Sequence, residues 1–183
     1  MPRIIHVVQE PITFEWLREH FEHVEGEFSR IAFEALKYED KTQPRHDRVA
    51  YGDIITLERF MTTQQVLDEH YHRDMRPALV PEHIGHMVEY GKDLLPAHLN
   101  AMGSVAVYRS PVTGEKRGYF IGGWRMGDLT ALALNPTGGI VNPESKMSSK
   151  VQPTEDKKAI QLGWPPGAQF LGIYDGSPKR TVI

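Results

Sequence analysis

The apolar residues change period at Gly103, and that change constrains the fold more than any other feature. Before it, Phe14, Leu17, Phe21, Val24, Phe28, Ile31 and Ala35 recur at alternating steps of three and four. This spacing places one apolar stripe along a helix, predicted to run from an N-cap at Thr13 to about Lys37. Glu15, Glu19, Glu22, Glu25, Glu27 and Glu34, with Arg18, Arg30 and Lys37, fill its outer face. After Gly103, "SVAVYRS" and "RGYFIGGW" are strand-like and flank the short link "PVTGEK". That combination predicts a β-hairpin, with "LTALALN" (Leu129–Asn135) as the next strand. Helices first and strands later read as α+β, with helices packed on one face of a small, mainly antiparallel sheet.

The remaining elements follow from local signals. "RIIHVV" (Arg3–Val8) and "DIITLERF" (Asp53–Phe60) are strand-like, and "YEDKTQPRHDRVAYG" between them reads as a polar loop. Thr62 and Gln65 make a capping-box pattern that opens a helix to about Asp74. Pro77 and Pro81 break the chain, and a third helix is predicted from about Glu82 to Leu95, weakened by Gly85 and Gly91.

Beyond Asn135 the sequence becomes rich in Pro, Gly and Ser, and only "AQFLGIY" is strand-like. The expected organisation is a body over residues 1–142 and an extended Pro/Gly-rich C-terminal arm over 143–183. Such an arm either finishes its own sheet or is held by neighbouring subunits. The second reading is taken, with Trp164, Phe170, Leu171, Ile173, Val182 and Ile183 as apolar anchors in a partner.

Composition removes several classes of chemistry. There is no cysteine, which excludes disulfides, thiolate nucleophiles and cysteine-ligated zinc. The formal net charge is −3, so net charge offers no polyanion affinity. Arg45, Arg48, Arg117, Arg125, Lys146, Lys150, Lys157, Lys158, Lys179 and Arg180 are scattered in sequence and read as a solvated surface; nucleic acid is the weaker option. Glu10 and Pro11 stop the first apolar run, so no signal peptide is expected. No segment has ~20 consecutive apolar residues, so no membrane span is expected either. A virion or the cytoplasm is the expected location.

"DEHYHRDMRP" (Asp68–Pro77) contains the His-Arg-Asp of a kinase catalytic loop. The kinase pattern requires Asn five positions after the Asp, and Leu79 stands there. The stretch reads instead as a polar helix end. Of the nine histidines, His83 and His86 share a helix face, and with His70 and Asp74 they flank one Pro-bounded turn. These four residues are the candidate metal ligands, since two imidazoles on one helical turn supply half of a zinc site. No cofactor is called for.

Helices followed by "SVAVYRSPVTGEKRGYFIGGW" and then "LTALALNPTGG" loosely resemble the outline of GNAT-type acetyltransferases. The resemblance implies a hairpin leading to a strand, a pyrophosphate loop and a long helix. The chain departs from that family after Leu134, where the loop is "NPTGGIVNPE" and Pro143 and Pro153 interrupt any helix. No residue role is carried over. The function expected from sequence is therefore a non-catalytic structural protein of a larger particle, such as a viral or phage virion, assembled with other protein subunits through its arm. The alternative is a small enzyme, an acetyltransferase-like transferase or a histidine-metal hydrolase.

Overall fold

The computed structural model describes residues 2–24, 49–93, 98–109, 114, 116–126, 129–141 and 162–174. In chain order the elements are β1 (Arg3–His6), α1 (Phe14–His20), β2 (His23–Val24), β3 (Val49–Thr56), α2 (Thr63–His72), β4 (Met75–Pro77), α3 (Val80–Tyr90), a 3-10 turn (Gly91–Asp93), β5 (Leu99–Arg109), β6 (Lys116–Met126), β7 (Leu129–Pro136), β8 (Ile140–Val141), β9 (Leu162–Gly163) and β10 (Gln169–Tyr174). Eight strands form one mixed sheet in the order β1-β3-β10-β5-β6-β7-β2, with β4 also paired to β10. The β10–β5 and β7–β2 pairings are parallel and the rest antiparallel. The fold class is α+β, and the β5–β6 hairpin forms where the sequence predicts it.

Side chains alternate across a strand, and here that alternation sorts the core into two clusters. On one face, Leu171 and Ile173 of β10 join Ile5, Ala50, Leu99, Ala101, Ile121, Leu132 and Leu134. Leu17 and Phe21 at α1, with Val80, Ile84 and Met87 of α3, cover them. On the other face, Phe170 joins Ile55, Met102 and Phe120 beneath Val66 of α2, Met61 and Trp164. Helices therefore lie on both faces, not one as expected. The reason is β4, which pairs with β10 inside the sheet between the two helices. The chain leaves α2 on one side and enters α3 on the other.

The expected arm is also corrected. β10 is hydrogen-bonded to β3 on one edge, and on the other to β5 at its start and β4 at its end. Five of its six residues are buried, the pattern of a strand covered on both faces. Trp164 is seated by an isolated bridge to Met61 and donates its indole N–H to Thr63 Oγ1 at 3.1 Å. Residues 162–174 thus complete the body's own sheet. The rest of the predicted arm lies outside the described residues.

The first helix is shorter than its apolar stripe. Thr13 caps it, accepting from Trp16 N at 3.0 Å, but Phe21 is already extended. Glu22 then accepts from Thr130 N and Oγ1 at 3.0 and 2.9 Å, and His23–Val24 pairs with β7. Strand pairing overrides the helical period there; the predicted helix beyond Val24 lies outside the described residues. β3 begins at Val49, inside the stretch expected to be a loop. The Thr62–Gln65 capping box is present at α2, as predicted.

Two glycines mark close backbone approaches. In β5, Met102 to Val105 lie opposite Phe120 alone, a bulge in the β5–β6 register. The turn between β4 and α3 fills this bulge, with Gly103 N donating to Ala78 O at 2.9 Å. A Cβ at Gly103 would come within 2.6 Å of Ala78 O. Gly85 of α3 lies against β1, where a Cβ would sit 2.2 Å from His6 O. Neither position admits a side chain without backbone movement.

The central placement of β10 gives a sharp expectation. A chain ending at residue 161 should show no cooperative unfolding transition. Phe170→Ala should lose about 3–5 kcal/mol, read as a lowered urea midpoint. A truncated chain that melts like the full one would refute the assignment of β10 to the core.

Candidate functional site

The polar side chains most deeply enclosed by the fold cluster on α3. Apart from Pro81, its first two turns are buried, so Glu82, His83 and His86 sit in the interior together with Val80, Ile84 and Met87. A buried polar group must find partners, and the three residues differ in how far they do. Glu82 is fully satisfied. Arg76 donates to it through Nη1 at 2.9 Å and Nη2 at 2.5 Å, and Leu79 N donates at 2.8 Å. This forked contact is a strong charge-assisted pair. It also caps the start of α3, since Leu79 at the N-cap has no acceptor of its own.

His86 meets Arg3 of β1, with Arg3 Nη1 donating to Nε2 at 3.3 Å. Its proton therefore sits on Nδ1, which has no partner. Neither ring nitrogen of His83 has one. The Arg3 guanidinium also lies 5.1 Å from the centre of the Tyr90 ring, a cation–π distance. His86 packs on the same ring at 5.1 Å between centroids. Burial pushes both histidines down to about 3, with further lowering from His86 at His83 and from Arg3 at His86. Both rings are neutral at pH 7. A pKa so far from neutrality is unsuited to general base catalysis at that pH.

The same helix closes the outer edge of the sheet. In β1 the groups turned away from β3 include Ile4 O and His6 N. Tyr90 Oη donates to Ile4 O at 2.7 Å, and Glu89 accepts from His6 N at 3.2 and 3.4 Å. Glu89 also contacts the His6 ring. An edge strand that would otherwise invite another chain is thus occupied by side chains of its own helix.

A second polar line crosses the sheet. Asn135 of β7 donates to Asn100 Oδ1 of β5 at 2.7 Å, and Asn100 donates to the Gln169 carbonyl of β10 at 3.0 Å. Gln169 Nε2 reaches Thr56 of β3 at 3.4 Å, while its Oε1 is buried without a partner. This line passes over Gly122, where a Cβ would stand 2.3 Å from Asn135 Nδ2. On the opposite face, Gly123 admits Met87 of α3.

The proposed metal ligands do not assemble. His70 lies on α2, edge-on to Phe170, and donates from Nδ1 to Val66 O at 2.8 Å. Burial lowers its pKa. His83 and His86 belong to α3 on the other side of the sheet, and Asp74 is exposed at the left-handed end of α2, with φ 55°. β4, inserted between the helices, is what separates them. Among the described residues, no three His, Asp or Glu side chains could hold a metal ion. Of the proposed partner anchors, Trp164, Phe170, Leu171 and Ile173 are core residues, 6 %, 0 %, 0 % and 2 % exposed. Val182 and Ile183 lie outside the described residues. After β7 the chain enters a tight turn and β8, not the helix that the acetyltransferase outline requires.

Sequence reasoning missed Arg3, Asn100, Asn135 and Gln169. The Gly122–Gly123 pair was a legible sign of close backbone approach. Nothing local marked Arg3, whose partners are brought by a helix more than eighty residues away.

No family model, curated protein or solved structure matches the chain. The α3 imidazoles nevertheless set a definite pH response. The unfolded chain takes up protons below its ordinary pKa of 6.5, while folded His83 and His86 resist them down to about 3. Stability should be full above about pH 6.5 and decline as pH falls toward about 3, by up to ~1.4 kcal/mol per pH unit per site. Urea titrations from neutral to acid pH should show this slope in the parent chain and a shallower one in His83→Leu and His86→Leu. An unchanged slope in both variants would refute it.

Proposed function

We propose that the protein is a non-catalytic assembly subunit, and that its contact surface is the outer face of β1–β3. One observation carries the reading. The register Ile4↔Tyr51 and His6↔Val49 puts these four residues on one face of the strand pair. Ile4 is 49 % and Val49 37 % exposed, with Tyr51 partly so. The opposite face carries Ile5 and Ala50, which are core. A contiguous exposed apolar patch is a recurrent mark of a protein–protein contact.

The edge of β1 is occupied by Tyr90 and Glu89, which favours a partner stacked on the face over one added as a strand. The narrower reading, a virion component held by a C-terminal arm, leaned on anchors of which four lie in the chain's own core. The proposal is therefore an assembly subunit, with the partner a copy of this chain or a second protein.

Analytical ultracentrifugation of the full chain tests the self-assembling form. Self-association is expected to weaken at least tenfold in the Ile4→Asp, Val49→Asp double variant, with its thermal midpoint within a few degrees of the parent. For a heterologous partner, the same variant should lose co-purification that the parent shows. A parent that stays monomeric and captures nothing at its β1–β3 face would refute the proposal.

A further inference from the structure

β1 is held differently along its two edges. Toward β3 it makes a regular register, from Arg3 opposite Gly52 to His6 opposite Val49. Toward α3 it meets side chains instead of a strand: Tyr90 on Ile4 O, Glu89 on His6 N, and His86 on the Arg3 guanidinium. The third contact is the unusual one. Arg3 is partly buried, and its partners among the described residues are an imidazole and the Tyr90 ring, with no carboxylate. His86 is fully buried and accepts from Arg3 Nη1 through Nε2 at 3.3 Å. The ring must be neutral at that nitrogen to receive the cation.

The described groups packed around α3 do not relieve a charge placed on His86. Glu82 is engaged by Arg76 of β4, and Glu89 by His6 of β1, where a charged His6 ring would hold Glu89 more tightly. β5 contributes the neutral Ser104, which accepts from Val80 N. Glu22 is bound to Thr130 of β7. Lys92 of the 3-10 turn, and Arg125 of β6 on the Lys92 carbonyl, are further cations. His83 is a second buried imidazole without a partner. A proton on His86 Nε2 would remove the acceptor of Arg3 and set two cations in contact, which burial and like charge both oppose. Rotation of Arg3 alone is no remedy. An imidazolium has two donors, and Nδ1 is buried without an acceptor, so water must enter between α3 and β1. The helix is gripped from both sides. Gly85 abuts His6 O of β1, Met87 sits over Gly123 of β6, and Gly91 just beyond the helix approaches Thr130 of β7. β1 has four residues, and among the described strands it pairs with β3 alone. It is the side that can move.

We propose that β1 is an acid-released strand with the Arg3–His86 contact as its trigger: when His86 takes up a proton, β1 separates from α3 and β3 while the rest of the sheet stays folded. Release takes Ile4 away from Val49 and Tyr51, so acid dismantles the contact surface proposed above. That consequence rests on the assembly reading; the release itself does not.

Amide hydrogen exchange on the full chain, read by NMR as protection factors at each pH, tests it and is blind to what the surface binds. The Ile5 N–H, in the pair Ile5↔Ala50, reports release of β1, and the Phe170 N–H, in the pair Phe170↔Ile55, reports global unfolding. His86 is held down to about 3 in the closed strand and returns to its ordinary 6.5 in the open one, so the closed form is fully favoured above about pH 6.5 and loses ground below it. One such site changes the open population by up to about tenfold per pH unit. Ile5 protection should fall at least about tenfold from pH 7 to pH 5, stay below that of Phe170, and depend little on low urea because a released strand exposes little surface. In His86→Leu the fall should shrink to less than about threefold, and in His83→Leu it should persist. The parent chain decides the matter even if a variant folds poorly. Ile5 exchanging at the rate of Phe170, or protection unchanged between pH 7 and pH 5, would overturn the proposal, as would a full fall in His86→Leu or its loss in His83→Leu.

Discussion

The fold depends on β10 finding its place between β3 and β5. Before it docks, β3 and β5 have no partner on their facing edges, and neither cluster of the core is closed. Phe170 is needed on one face and Leu171 and Ile173 on the other. The strand also receives β4, so it fixes where the chain passes from one layer of helices to the other. Its partners lie far away in sequence, with Phe170 opposite Ile55 and Asn100. Loops of that size must close before any contact rewards them, which makes this topology slow to form relative to a helical bundle.

That distance also explains what could be read from the sequence. Signals within a few residues were sound: the Thr62–Gln65 box, the β5–β6 hairpin, the strand at Leu129, and the strand-like "AQFLGIY". The α+β class followed from them. What failed was whatever depended on remote partners. Pro and Gly around Trp164 suggested a segment without a core, yet both faces of β10 are covered by residues up to a hundred or more positions away. The helical stripe through Phe21 and Val24 gave way because Glu22 is held by Thr130. The grouping of His70 with His83 and His86 assumed a simple turn, and three residues, Met75–Pro77, made that turn a strand.

Of the site, the imidazole pair was visible as spacing and its environment was not. His83 and His86 at a helical interval fit a ligand pair and a buried helix face equally well. Only the packing of α3, brought against β1 by Gly85, makes them dry and neutral. Gly85 weakened the helix prediction, and its role is to let that helix come close. The same approach brings Tyr90 and Glu89 over the edge of β1. One glycine thus couples the helix, the sheet edge and the buried histidines.

Dimensions account for where the open surfaces fall. Seven strands side by side at ~4.8 Å span about 29 Å. On the Phe170 face, α2 is the only helix among the described residues, and ten residues at 1.5 Å make about 15 Å. It covers the centre, with Trp164 beside it, over Ile55, Phe170 and Phe120. The strand register places Ile4, Tyr51 and Val49 on this same face, at the β1 edge of the sheet. They form a patch backed by the core residues Ile5 and Ala50 on the opposite face. A patch of this kind, beside an edge already occupied by Tyr90 and Glu89, suits a protein partner stacked on the face.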